Sequence, residues 1–86
     1  MTSMVDSVIF RETTIERRTA DAVQDELRRR LARGWSRDEI AARLGLVPVG
    51  LDALMGRYWT IEEAFRVAEA LEIDFARIHA EAAGAA

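Results

Sequence analysis

The sequence predicts an all-α fold, a compact bundle of about five helices, preceded by an N-terminal segment with the pattern of a strand. Apolar residues recur every three or four positions through most of residues 20–83. Ser or Thr precedes two of these segments, with Glu three positions later, which is typical of helix starts. The chain has 86 residues, enough for one domain, which we divide into an N-terminal arm (1–18) and a helical domain (19–83).

The first helix is expected from about residue 20 to residue 32. Val23, Leu27 and Leu31 recur every four residues and would form its buried stripe. Gly34 follows the last periodic residue and would cap the C-terminus, since glycine readily adopts the left-handed conformation required there.

The second helix has a complete start signal. Ser36 would be the N-cap and Glu39 would close a capping box, with Trp35 and Ile40 as the hydrophobic staple around them. Gly45 would end this helix.

Three further helices follow. Pro48 suits the first position of the third helix, and Gly56 would stop it. Thr60 and Glu63 repeat the capping-box pattern at the start of the fourth helix, and Asp74 would cap a short fifth helix that runs to about residue 83. The expected inward residues of the last two helices are Ile61, Ala64, Phe65, Ala68, Leu71, Phe75 and Ile78.

Two features predict a homodimer. Residues 7–15 are rich in β-branched residues and are expected to form one strand, which has no partner in a helical chain and would pair with its symmetry mate. On the fourth helix, Val67 and Ala70 widen the apolar stripe beyond what one core face needs. We therefore expect a two-fold dimer in which the N-terminal segments cross or pair.

Composition excludes several classes of function. The chain has no cysteine and a single histidine, His79, so we expect no metal site, no cofactor, no thiol nucleophile and no enzymatic activity. No apolar run approaches the roughly 20 residues needed to span a bilayer, and residues 1–6 lack the features of a signal peptide. These observations predict a cytoplasmic protein.

Positive charge is concentrated in the middle of the chain. The net charge is −3, but residues 28–57 hold seven of the twelve arginines and three of the fifteen acidic residues. Asp25–Arg29 and Glu26–Arg30 are expected to pair along the first helix. No local partner is evident for Arg33, Arg37, Arg43 and Arg57. The arginines at 28, 29, 30 and 33 are interpreted as either a solvated helix face or a ridge that faces phosphates.

The second and third predicted helices have the residue types of a helix-turn-helix unit. Ala41 is small enough for a close helix crossing, and Gly45, four residues later, permits a left-handed turn. Leu51 and Leu54 then provide apolar side chains three residues apart that would lock the angle between the helices.

With these positions identified, the chain resembles the Cro and lambda-repressor (XRE-type) helix-turn-helix regulators. WSRDEIAARLGL is similar to the family's second helix and turn, and LMGRYWTIEEAFRVAEALEI to the end of its third helix, the loop and the fourth helix. The resemblance covers roughly residues 20–78. It implies dimeric binding of double-stranded DNA and a role as a transcriptional regulator or antitoxin, with Arg37 on the DNA backbone.

The positions that the resemblance assigns to base readout are apolar. Val47, Pro48, Val49 and Gly50 offer no side-chain donor or acceptor, so only contacts of Val47 or Val49 with a thymine methyl remain for direct readout. The first charged residue on this helix is Asp52, which phosphates would repel unless it accepts from a cytosine amino group.

Two functions follow from these patterns. In a DNA-binding protein, Arg37, Arg43, Arg57 and Tyr58 are the expected phosphate contacts beside Val47 and Val49. In the alternative, the same scaffold binds another protein through the apolar residues 46–51 together with Leu54 and Met55.

Overall fold

The computed structural model describes residues 13–84, which form five helices. They are α1 (Thr14–Ala32), α2 (Arg37–Arg43), α3 (Pro48–Met55), α4 (Ile61–Ala70) and α5 (Phe75–Gly84). This confirms the expected all-helical bundle of five helices. No helix in this part of the chain is both long enough and apolar enough to cross a lipid bilayer.

One hydrophobic core joins the five helices. The long helix α1 packs against α4 and α5, α2 packs against α3, and α4 also contacts α5. Residues from α1 to the segment that follows α4 meet in this core with at most 8% of their surface exposed: Ala20, Val23, Leu27, Ile40, Ala41, Leu51, Trp59, Ala64, Val67, Ala68, Leu71 and Ile73. Trp59 is the largest fully buried side chain, and its indole N–H donates to the carbonyl of Leu54 at 2.8 Å.

Helix α1 begins earlier than its apolar stripe indicates. Thr13 is the N-cap: its hydroxyl accepts from the N–H of Glu16, and the Glu16 carboxylate accepts from the N–H of Thr13. The predicted strand over 7–15 is therefore wrong at its end, where Thr14 and Ile15 are helical, and its first six residues lie outside the described part of the chain. The capping box outweighs the modest preference of β-branched residues for extended backbone.

The other predicted helix starts are confirmed, with one difference in detail. Thr60 and Glu63 form a full capping box, and the Asp74 carboxylate accepts from the N–H of Arg77. Ser36 accepts from the N–H of Glu39 at 3.2 Å, but the Glu39 side chain turns away to Arg43, so α2 has a simple N-cap instead of the predicted box.

Three of the helices end in the same hydrogen-bonded turn. After α2, the N–H of Leu46 bonds to the carbonyl of Ala41 and Gly45 has a φ of +71°. Gly34 has the same left-handed conformation after α1, as predicted. After α4 the place is taken by Glu72, with a φ of +57°, a conformation that disfavours side chains with a β-carbon.

The faces of α4 differ from the expected stripe. Val67, which was predicted to extend beyond the core, is 5% exposed and belongs to it. Phe65 was expected to point inward but is 47% exposed, with its ring packed edge-on against Phe75 at a centroid distance of 5.2 Å. The wide apolar stripe of α4 therefore packs largely against other helices of the same chain, because α4 contacts both α1 and α5.

Candidate nucleic-acid interface

The junction between α2 and α3 is short and tightly packed. Four residues, 44–47, connect the two helices. Ala41 is completely buried, and its carbonyl accepts the N–H of Leu46 at 2.8 Å, so the chain turns directly over this alanine. Leu51, one turn into α3, is also buried. The N-terminal end of α3 is thereby fixed relative to α2.

That end of α3 faces solvent. Val47 and Val49 are 63% and 72% exposed, and Leu46 is 36% exposed. Val47 is the N-cap of α3 and makes no side-chain capping bond, while Pro48 at the first helical position has no N–H. The remaining N–H groups of the first turn have no capping side chain, and such groups favour anions.

Each of the three arginines predicted as phosphate contacts has an acidic partner. Arg37 pairs with Asp52 of α3, and Arg43 lies 3.6 Å from a carboxylate oxygen of Glu39. No local partner was expected for these arginines, which is wrong for Arg43, since Glu39 lies one turn before it on α2. The partners of Arg37 and Arg57 are more than one helical turn away in the sequence. All three arginine side chains remain about half exposed.

Arg57 is the most firmly held of the three. Its guanidinium donates to both oxygens of the Glu63 carboxylate, at 3.0 and 2.6 Å, and to the carbonyl of Tyr58. These hydrogen bonds, together with the one from the N–H of Thr60, lower the pKa of Glu63 to about 2. The hydrogen bonds to Glu63 also raise the pKa of Arg57 above its ordinary value. The cap of α4 thus orients this arginine.

Tyr58 extends from the α3–α4 connection. It is 78% exposed, and the guanidinium carbon of Arg17, on α1, lies 5.0 Å from the centre of its ring. The face of the tyrosine is therefore covered by a cation, which is a favourable arrangement.

The structure brings some of the predicted residues together. Arg43 and Arg57 line one groove of about 360 Å³ between α2, α3 and α4, with Leu46 and Leu54 among its apolar walls. Tyr58 follows Arg57, and Arg37 reaches α3 through Asp52. The predicted residues thus lie near α3: Val47 and Val49 at its N-terminal end, Arg37 paired with its Asp52, and Arg43 and Arg57 along the groove.

Two functional candidates were not assigned from the sequence. Asp52 was expected to repel phosphates unless it accepts from a cytosine amino group, and its ion pair with Arg37 was not predicted. Gln24 is 3% exposed and bonds to the backbone of the α3–α4 connection. Its signal in the sequence is a polar residue three positions before Leu27, inside the apolar stripe of α1.

The two tryptophans and one ion pair of α1 can also be compared with the expectations from the sequence. Trp59 is in the core. Trp35, predicted to form the hydrophobic staple with Ile40, is 44% exposed beneath the guanidinium of Arg30, whose carbon lies 4.9 Å from the ring centre. Along α1, Asp25 pairs with Arg28 instead of the expected Arg29. Within residues 13–84 there is no cluster of three or more His, Asp or Glu side chains able to hold a metal ion.

Comparisons with known proteins add no relative. No family model matches the sequence, and searches of curated proteins and of solved structures found no significant match. The candidate interface therefore stands on the residues and geometry described above.

Proposed function

We propose that this chain is a helix-turn-helix protein of the XRE type that binds double-stranded DNA, with the N-terminal end of α3 in the major groove. The observation that carries the proposal is the exposure of Val47 and Val49 at the end of a helix that α2 holds rigidly through Ala41 and Gly45. A major groove about 12 Å wide accepts an α-helix that protrudes in this way.

The ion pairs of the arginines are compatible with phosphate binding. Pairs between exposed side chains contribute about 0–1 kcal/mol, because water screens both charges. A DNA phosphate can therefore replace Asp52 at Arg37, or Glu39 at Arg43, at low cost. Arg37, Arg43, Arg57 and Tyr58 are the proposed backbone contacts, and most of the affinity would come from them.

Base readout would be limited. Val47 and Val49 can contact a thymine methyl group but cannot form hydrogen bonds with base edges. We therefore infer a weak sequence preference that depends on these methyl contacts and on DNA shape. Such a protein would act as a transcriptional regulator or an antitoxin-like partner of another protein in the cytoplasm.

A homodimer is part of the proposal, since two copies would place two α3 helices on successive half-sites. Sedimentation equilibrium at tens of micromolar, an order-of-magnitude choice for a stable interface, tests it. A monomer at all concentrations would remove the dimer from the proposal and leave the DNA-binding surface intact.

The deciding experiment is a titration of fluorescent duplexes, cut from genomic DNA, at several salt concentrations. Binding through phosphates requires the logarithm of the association constant to fall linearly with the logarithm of the salt concentration, by about 0.9 for each phosphate neutralised. Absence of binding to any duplex at low salt would reject the proposed function.

A second candidate function is protein binding by the same surface. It is favoured by the exposed apolar side chains of Leu46, Val47 and Val49, which adjoin the apolar walls of the groove. Val49→Asp would place a charge in such an interface and abolish a protein complex. Arg37→Ala would leave that complex unchanged but would weaken DNA binding, so the two variants distinguish the candidates.

A further inference from the structure

The α3–α4 connection is fixed to α1 by partly buried hydrogen bonds. The side-chain amide of Gln24 donates to the carbonyl of Met55 at 3.2 Å and to the carbonyl of Arg57 at 3.0 Å. Gln24 itself is 3% exposed. Met55 is the last residue of α3, and Arg57 carries one of the guanidinium groups proposed to contact DNA.

The chemistry of a primary amide suits this position. Its nitrogen carries two N–H groups, and here each one has a carbonyl acceptor. The two carbonyls follow the end of α3, where helical carbonyls lack partners within the helix. Gln24 therefore satisfies two partly buried acceptors and ties the backbone of Arg57 to α1 and to the end of α3 at the same time.

Other hydrogen bonds hold the same connection, from α1 and from α4. The carbonyl of Trp59 accepts from a guanidinium nitrogen of Arg17 at 2.7 Å. Arg17 and Gln24 are seven residues apart on α1, so two helical turns place them on one face. On the outer side, the carboxylate of Glu63 holds the Arg57 guanidinium. The backbone of Arg57 is thus fixed from α1 and its side chain from α4.

We propose that Gln24 is a positioning residue for DNA binding that acts through Arg57: its two amide hydrogen bonds fix the Arg57 backbone so that the guanidinium reaches a DNA phosphate. The inference rests on the proposed function, because it assigns Arg57 a phosphate contact. Gln24 itself is buried and does not touch DNA.

A double-mutant cycle on the full chain tests this role, with genomic duplexes as the probe. Gln24→Met keeps the length of the side chain and removes both donors. We expect it to weaken DNA binding several-fold and to lower the salt slope by about one unit, as Arg57→Ala does. In the Arg57→Ala background, Gln24→Met should have no further effect, whereas with Arg37→Ala the two effects should add.

A merely structural role gives a different result. Gln24→Met would then lower the melting temperature, yet at temperatures where the variant is fully folded it would bind DNA with wild-type affinity and slope, which would overturn the positioning role alone. Failure of the wild-type chain to bind any duplex would overturn the proposed function and this inference with it. If Gln24→Met does not fold, Gln24→Asn, which keeps both N–H groups but withdraws them by one methylene, takes its place with the same expected results.

Discussion

The carboxylate of Glu63 accepts two hydrogen bonds from the guanidinium of Arg57 and one from the backbone N–H of Thr60. One side chain thus closes the capping box of α4 and holds an arginine of the candidate interface. The first turn of α4 and the α3–α4 connection are therefore coupled through a charge that protonation can remove.

The first prediction concerns the pH dependence of this coupling. The pKa of Glu63 is about 2 in the folded protein, against an ordinary value of 4.5. Its charge therefore stabilises the fold fully above pH 4.5, and the contribution is lost as the pH falls toward about 2. Glu63→Gln keeps an oxygen for the cap and removes the charge. It should lower the free energy of unfolding at pH 7 by about 1 kcal/mol, because the pair is partly open to solvent.

Urea unfolding of the wild type and of Glu63→Gln between pH 7 and pH 3 measures this difference. Both proteins contain the same other carboxylates, so the difference isolates Glu63. It should be constant above about pH 5 and should shrink as the solution becomes more acidic. A difference that is independent of pH over the whole range would contradict the shifted pKa.

The second prediction compares two residues in the same turn position. Gly45 and Glu72 follow α2 and α4 with φ values of +71° and +57°. This conformation costs a residue with a β-carbon roughly 1–2 kcal/mol relative to glycine. Glycine loses more conformational entropy on folding, and this offsets about 0.5–1 kcal/mol of the difference. Glu72→Gly should therefore stabilise the protein, and Gly45→Ala should destabilise it, each by roughly 0.5–1 kcal/mol.

Thermal and urea unfolding of both variants test this comparison. A β-carbon on Gly45 would meet no atom within 4 Å, so backbone conformation alone accounts for the expected cost. Gly50→Ala is the matched control, because Gly50 lies inside α3, where alanine favours the helix and the new β-carbon would meet Leu46 at an ordinary 3.6 Å. Changes of the same sign at Gly45 and Glu72 would contradict the assignment.

The third prediction tests the start of α1. Thr13 and Glu16 form a reciprocal capping box. Thr13→Ala should cost about 1 kcal/mol of stability and reduce helicity in circular dichroism, whereas Thr13→Ser keeps the hydroxyl and should resemble the wild type. If residues 13–15 were extended instead, removing this hydroxyl would leave helicity unchanged.

The helix ends show which features of the fold the sequence predicts. Local signals for helix ends were mostly reliable: Thr60 with Glu63, Pro48, and the glycines at 34 and 45 mark helix ends where the structure has them. Local side-chain pairing was less predictable, since Glu39 does not close the box with Ser36 and Asp25 pairs with Arg28. At the start of α1 two local signals competed, and the capping box at Thr13 prevailed over β-branched residues. No residue type predicts the left-handed turn at Glu72, where a glutamate has the positive φ that glycine has at the ends of α1 and α2.

The candidate interface was predictable in composition but not in pairing. Val47, Val49 and Arg37 were identified from the resemblance to the helix-turn-helix regulators. The partners of Arg37 and Arg57 were not predicted, since Asp52 and Glu63 meet them only after the helices pack. The same holds for Gln24, whose two acceptors lie 31 and 33 residues away in the sequence.

The last prediction concerns the charges that would bind DNA. Replacing Arg37, Arg43 or Arg57 by Ala should weaken binding by a similar factor on all sequences and lower the salt slope by about one unit each. Arg77→Ala removes the same charge from α5 and serves as the control for net charge, with a smaller effect on the slope.

Arg57→Ala has an additional consequence, because it leaves the Glu63 carboxylate without its guanidinium partner, close to the expected phosphate. Part of its loss should therefore be repulsion, and Glu63→Gln in the Arg57→Ala background should restore some of the affinity. Fluorescence anisotropy at several salt concentrations measures both the lost phosphate contact and the repulsion by Glu63. If the double variant binds no better than Arg57→Ala, Arg57 contributes only through its own contact with DNA. If none of the three arginine variants changes the salt slope, the phosphates lie elsewhere and the proposed orientation of α3 is wrong.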